Sequence, residues 1–476
     1  MLSTVIPAII LALLAGLLVK YILEKKGGEE QITAFELKLG AAVIAFIVAP
    51  LVGYIGWEVS RSNQIVYNEY WNGWEIAAER NDVSCTRDGP CYWEYDCDPY
   101  LVYVSRTCTR PGKNGGTYEC GGYETRYHSC PYVTVETTYN VRTTLGGYTV
   151  APHRFPDDPQ SHRWRTSKSI PDSTISNAGV GIPKFWNEVW MRIASGTPNP
   201  ATTRKEYKNY ILANEGTILK QHSANIEHYL KQGLLPPVTA SVVGLYGSNK
   251  VYFVGHRPGN ATVWQSTLEH LNAAFGTELQ GDLHVVIVQN DAVNADYDTY
   301  VLALKAYWQD NKVFGRDAFG KNGVAVILGT NDGKTVAWAR AFTGMPRGNE
   351  HMIVALESGL KGQLLDSTIV LGTITPTSVV SKSPSSVSLR ITKTDRTGIV
   401  PRIIWGDDDK SFRFERIGMT GKGSGKGSGY LYLYGEIQPT DTQKKWIGFF
   451  VFLFSCVFWF IAAAQDISNT RKSSRY

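Results

Sequence analysis

The chain has no G-x-S-x-G elbow, no H-E-x-x-H helix and no C-x-x-C pair. Three common signatures of hydrolase, metalloprotease and zinc-knuckle chemistry are therefore missing. A strong charge of either sign is missing too. Lys and Arg number 48 against 43 Asp and Glu, a net +5, which does not call for nucleic acid as a partner. The glycine-rich stretch at 421–429, GKGSGKGSG, fails as a phosphate loop. No Gly precedes Gly425 by five residues, and Lys426 is followed by Gly427 in place of Ser or Thr. Its composition reads as a flexible loop.

What the sequence does have is long apolar runs. Residues 3–23 carry one charge, Lys20, near their end, and residues 39–57 and 446–464 carry none. Each approaches the roughly 20 residues needed to cross hydrocarbon. The first run lacks the basic start of a signal peptide, so it reads as a span. Lys25 and Lys26 lie between the first two runs, and Arg471, Lys472 and Arg475 follow the third. Placing both groups on the cytoplasmic side satisfies the positive-inside rule and leaves residues 58–445 extracytoplasmic.

Cysteine usage points to the same compartment. Six of the seven cysteines, Cys85, Cys91, Cys97, Cys108, Cys120 and Cys130, fall in one Tyr- and Gly-rich stretch, while Cys456 lies in the last apolar run. An even number in a loop-rich segment reads as a disulfide framework with 15 possible pairings. Alternating stretches such as 132–137 read as strands. The many tyrosines of this region serve either as packing area in a small stapled core, the expected role, or as a recognition surface.

The outer region is too long for one ordinary domain. Apolar residues recur at helical spacing at Phe185, Trp186, Val189, Trp190 and Ile193, and again from Tyr210 to Leu230. From residue 240 strands and helices alternate. Strands are expected at 251–254, 284–288 and 368–371, and helices through Trp264–Phe275, Tyr300–Trp308 and 350–365. Residues 320–344 read as a hairpin turning at Asn331-Asp332-Gly333, which tolerates the backbone of a tight turn. Further strands are expected at 388–392, 401–405 and 430–434. Alternation around a mostly buried sheet argues an α/β/α sandwich.

The order strand 284–288, acidic loop, helix ending near Trp308, Asn322-Gly323-Val324 and a hairpin closing at Thr343-Gly344 resembles the TPM domain over residues 245–370. Two family features are absent: a Gly-x-Gly after the second hairpin strand, where Met345-Pro346 stands, and the opening Asp-x-Ala-x-x-Leu. The resemblance implies one small mixed sheet between helices. It also implies a role in phosphatase activity, metal binding or the assembly of membrane complexes.

These readings add up to an α+β multidomain membrane protein with three transmembrane helices. A transmembrane hairpin (1–57) precedes a Cys/Tyr-rich β region (58–165), a helical segment (166–239) and the TPM-like domain (240–372). A β-rich segment (373–443), a transmembrane helix (444–465) and a cytoplasmic tail (466–476) follow. The expected function is binding or assembly in an envelope complex, with protein partners or a second copy of the chain. The alternatives are a tethered, phosphatase-like hydrolase and a structural virion or appendage component. A hydrolase would use Asp291, Asp296, Asp298 and Asp332, whose oxygens suit Ca²⁺ or Mg²⁺. The same acids have ordinary roles as helix caps and turn residues. The segment HRFPDDPQSH, with His153, Asp157, Asp158 and His162, reads as a surface loop, with a transition-metal site as the rival. Carboxylates converging in a pocket would favour the enzyme, and a broad exposed aromatic patch would favour binding.

Overall fold

The computed structural model describes residues 2–27, 34–84, 94–109, 117–131, 135–150, 182, 184–214, 216, 225–238, 249–255, 257–293, 296–345, 347–420 and 429–473. Cys85, Cys91, the 153–162 segment and residues 421–428 lie outside them.

Three helices are long and apolar enough to cross a membrane. Leu2–Gly27 (α1) is the first. Ala34–Val43 (α2) runs through a π turn into Ala49–Gln64 (α3) as the second, and Asp441–Ser473 closes the chain. Little of these helices is buried; Phe46 and Phe460 are 81% and 66% exposed. Their contacts use small residues, as helices do where no hydrophobic effect drives them together. Ala8, Ala12 and Ala49 pack beside Val5, Ile44, Val451 and Trp459.

From the end of α3 the chain passes directly into Val66–Ser84 (β1), a 19-residue strand that acts as the spine of the region between the second and third apolar helices. Glu94–Val104 (β2) pairs with Gly122–Pro131 (β5), and between them Thr107–Thr109 (β3) pairs with Thr117–Glu119 (β4). Val135–Thr143 (β6) and Gly146–Val150 (β7) follow, with β6 against the second half of β1. Helix Lys184–Ala194 (α4) covers that half through Trp186, Val189 and Ile193.

Residues 200–208, read from sequence as part of a helical segment, form a strand, Pro200–Lys208 (β8), paired with the first half of β1. Among the described residues of that segment two short helices follow, Tyr210–Ala213 (α5) and Ile226–Lys231 (α6). Asn209 stops one conformation and starts the next, because its side chain accepts from the Ile211 and Leu212 amides at 3.0 Å each.

The α/β unit comprises Val251–Val254 (β9), Ala261–Leu279 (α7), Asp282–Gln289 (β10), Tyr297–Trp308 (α8), Asn311–Phe314 (α9), Gly323–Thr330 (β11) and Trp338–Thr343 (β12). The sheet order is β12-β11-β10-β9, with β9, β10 and β11 parallel and β12 antiparallel at the edge. Both faces are dry. Val324, Val326 and Leu328 meet α7, and Ala325 and Ile327 meet α8. Apolar runs buried on both sides are characteristic of such sheets. The two crossovers, through α7 and then α8, step the same way across the sheet on opposite faces. One of them therefore has the hand opposite to the usual right-handed connection.

Glu350–Leu360 (α10) covers the α7 face. The strand expected at 368–371 is instead a helical turn, Ser367–Val370 (α11), because Asp366 caps the Thr368 amide at 2.8 Å. Ile374–Lys382 (β13) and Ser386–Arg396 (β14) join the sheet of β1, in the order β13-β14-β1-β6-β7. Residues 401–405 also differ from expectation: they are helical, Ile399–Trp405 (α12). Val400, Ile403 and Ile404 point one way into the core between Gly398 and Gly406, both at positive φ. Residues 430–434 alternate like a strand but form a 3₁₀ helix, Tyr430–Glu436, whose Tyr430, Leu433 and Tyr434 pack against α5. The closing helix Asp441–Ser473 is α13.

Candidate functional site

The acids singled out from the sequence lie near the carboxyl end of the parallel strands, where ligands of α/β sheets bind. Asp291 sits in the 3₁₀ turn after β10. Asp296 caps α8 through the Thr299 amide. The Arg340 Nε donates to Asp298 at 2.8 Å. That guanidinium also lies over the Tyr297 ring at 5.0 Å, and Tyr297 stacks on Trp338 with centroids 4.9 Å apart.

Asp332 accepts from the Lys334 and Thr335 amides at 2.8 and 2.9 Å. Those amides hold its carboxyl down to about 2. Three of the four carboxylates are thus engaged within the protein. Among the described residues no group of three or more His, Cys, Asp or Glu is arranged to hold a metal ion.

A second polar cluster, not evident in the sequence, lies at the opposite end of β10. Lys250 is 1% exposed, and its Nζ donates to Asp282. The Asn72 amide of β1 donates to the same carboxylate at 2.9 Å, and His284 Nε2 lies 3.2 Å from its other oxygen. Burial alone would raise Asp282, yet Lys250 and His284 hold it well below the usual carboxylate range. Burial, helped by the nearby Lys250 charge, lowers His284. A neutral imidazole protonated on Nε2 then donates to Asp282 and accepts from the Tyr252 hydroxyl, 3.2 Å from Nδ1.

The adjoining cavity is about 10 Å³, room for roughly one water. No substrate fits there. The cluster instead ties β1 to the α/β unit, together with Asp317, which accepts from Asn68 and Tyr70 at 2.7 Å each. The sequence signal was Asp282 and His284 spaced two apart, on one face of an otherwise apolar strand.

The third feature is the arm formed by β2 and β5. Tyr67, Tyr70 and Tyr139 are buried as expected of a core, but the described tyrosines of the arm lie outside. Tyr100, Tyr103, Tyr123 and Tyr127 are all exposed, and Leu101 beside them is 67% exposed. Tyr103 and Tyr123 face each other across the strands with ring centroids 5.4 Å apart, and Tyr100 lies 4.5 Å from the His128 ring. Among the described residues no second layer covers these two strands, so the rings stay on the surface. The disulfide Cys108–Cys120 staples the smaller hairpin between them. Cys97 and Cys130 are described only as strand positions.

No family model, no curated protein and no solved structure matches the chain.

Proposed function

We propose that the chain is a membrane-anchored binding or assembly protein, with residues 58–445 on the extracytoplasmic side. Its three apolar helices serve as the anchor and its tyrosine-rich arm as the contact surface for a protein partner. The observation that carries this reading is the exposed row Leu101, Tyr103, Tyr123 and Tyr127 on one face of the arm, with Tyr100 exposed on the other. Exposed aromatic clusters are typical of interface hot spots, since each ring supplies contact area with little side-chain entropy to lose. The apolar belt on α1, α3 and α13 supports the anchor, because so large an apolar surface is not kept in water. The TPM resemblance implies one small mixed sheet between helices, and β9–β12 with α7 and α8 have that arrangement. On this reading that unit is a rigid support joined to the spine strand, and the acids at its carboxyl edge stabilise turns and helix ends.

The test is purification of the detergent-solubilised chain and of Tyr103→Ala/Tyr123→Ala, with cross-linking before lysis. A protein recovered in fixed ratio with the parent chain and lost from the variant, at unchanged thermal stability, supports the reading. Recovery that does not depend on the two tyrosines contradicts it.

A further inference from the structure

An open cavity of about 840 Å³ lies where the outer region meets the apolar helices. This falls within the roughly 300–1,000 Å³ typical of small-molecule sites. Its floor is made by the end of α3, at Asn63 and Gln64, and by the start of α13, at Asp441 and Lys444. The Gln64 amide donates to Gln443 at 2.5 Å and clamps the two helix ends together. One or two turns further along the same helices, Val59 and Trp446 are 54% and 56% exposed. The cavity therefore sits at the boundary between the apolar belt and the polar outer region.

Its lining mixes polar and apolar surface and carries both charges. Lys312 and Arg316 approach from the segment around α9 and Lys444 from α13, with the carboxylates of Glu436 and Asp441 nearby. Glu436 is held by the Asn214 amide at 2.7 Å and Arg316 by Glu206 at 3.0 Å. The Tyr67 wall is equally fixed, because Asn311 donates to its hydroxyl at 2.8 Å. Burial pushes that phenol up to about 12, so it remains a hydroxyl at neutral pH.

We propose that this cavity holds the headgroup of a zwitterionic phospholipid. The inference rests on the membrane-anchored reading above. Lys312, Arg316 and Lys444 match the phosphodiester, for which ammonium and guanidinium groups are the natural partners. Glu436 and Asp441 match the amine of the same headgroup. A purely anionic headgroup would leave those two acids facing like charge. The acyl chains would then run down the apolar faces of α3 and α13.

The full chain, purified in a phosphate-free detergent, is placed in bilayers of equal phosphatidylethanolamine and phosphatidylglycerol. It is then delipidated in steps and weighed by native mass spectrometry. One phosphatidylethanolamine per chain should remain after the other lipids are stripped. Lys312→Gln/Lys444→Gln should lower its retention about ten-fold, and Arg316→Gln, which leaves the ion pair of the Lys444 Nζ with Asp441 at 3.1 Å intact, should lower it as well.

Retention of no lipid, preference for phosphatidylglycerol, or retention unchanged in both variants would overturn the inference. So would binding of soluble glycerophosphoethanolamine by a chain that keeps no phospholipid, because the site would then serve a free phosphate ester. A chain that stays in aqueous solution without detergent would instead refute the membrane reading, and the two failures are distinguishable.

Discussion

The indole of Trp459 lies against Gly16 so closely that a Cβ on the glycine would come within 2.5 Å of the ring. Trp459 is 2% exposed, and its Nε1 donates to the Ala12 carbonyl at 3.2 Å. The ring thus fills the space that small residues leave between α1 and α13. Gly16→Val should force these helices apart and destabilise the bundle by about 1–3 kcal/mol, the usual cost of overpacking. Thermal unfolding in detergent measures it, and an unchanged midpoint would show that the two helices do not pack through Trp459.

Asp282 is the hinge of the buried polar cluster. Asp282→Asn leaves the Lys250 ammonium without its anion in a dry site, and the cost should be about 3–5 kcal/mol. Replacing both partners by Lys250→Met/Asp282→Leu should cost less than the two single changes together. Chemical unfolding of Lys250→Met, Asp282→Leu and the double variant checks this. Strict additivity would mean that the pair is not energetically coupled.

Glu75 carries a pH dependence. Its carboxylate is 0% exposed on β1, with Arg192 donating from Nη2 at 3.1 Å. Burial nevertheless pushes it up to about 7, although Arg192 opposes the shift. A carboxyl with a raised folded value favours the folded state while protonated. That contribution is complete below the unfolded value of 4.5 and is lost as pH rises through about 7. The shift corresponds to roughly 3 kcal/mol. Stability measured between pH 4.5 and 8 should fall at this site, and Glu75→Gln should flatten that part of the curve. An identical slope in the variant would assign the dependence elsewhere.

The hairpin of β11 and β12 offers two contrasting substitutions. Val326 is fully buried, so Val326→Asp should unfold the α/β unit, because an unpaired buried carboxylate is costly. Asp332→Asn should change little near neutral pH, since the amide oxygen can still accept from the Lys334 and Thr335 backbone. Asp332 is held below the unfolded value of 3.8. Its contribution is therefore present above about pH 4 and fades as pH falls toward 2. Circular dichroism melts of both variants at pH 7 and pH 3 decide the matter. A large loss for Asp332→Asn at pH 7 would assign the turn a role beyond local geometry.

Periodicity made part of this legible. The alternation of Val324, Val326 and Leu328 with Ala325 and Ile327 gave both buried faces of β11, and the apolar runs gave the three long helices. Short segments are ambiguous where apolar residues fit either period. Residues 401–405 needed the flanking Gly398 and Gly406 to identify a helix, and 430–434 alternate yet close as a 3₁₀ turn. Long-range pairing was not legible at all. Nothing local says that β1 pairs with β14, some 300 residues away, or that Lys250 meets Asp282. The exposure of Tyr100, Tyr103, Tyr123 and Tyr127 likewise depends on which layer is missing behind them, and that is a property of the fold rather than of the residues.

The central claim is an outer region held on the extracytoplasmic face by three membrane spans. Protease added to intact cells or spheroplasts, followed by mass spectrometry of the membrane-bound fragments, tests it most directly. Cleavage within 58–445 and protection of the tail beyond 465 are expected. Cleavage of the tail with the outer region intact, or release of the whole chain from membranes by alkaline carbonate, would contradict it.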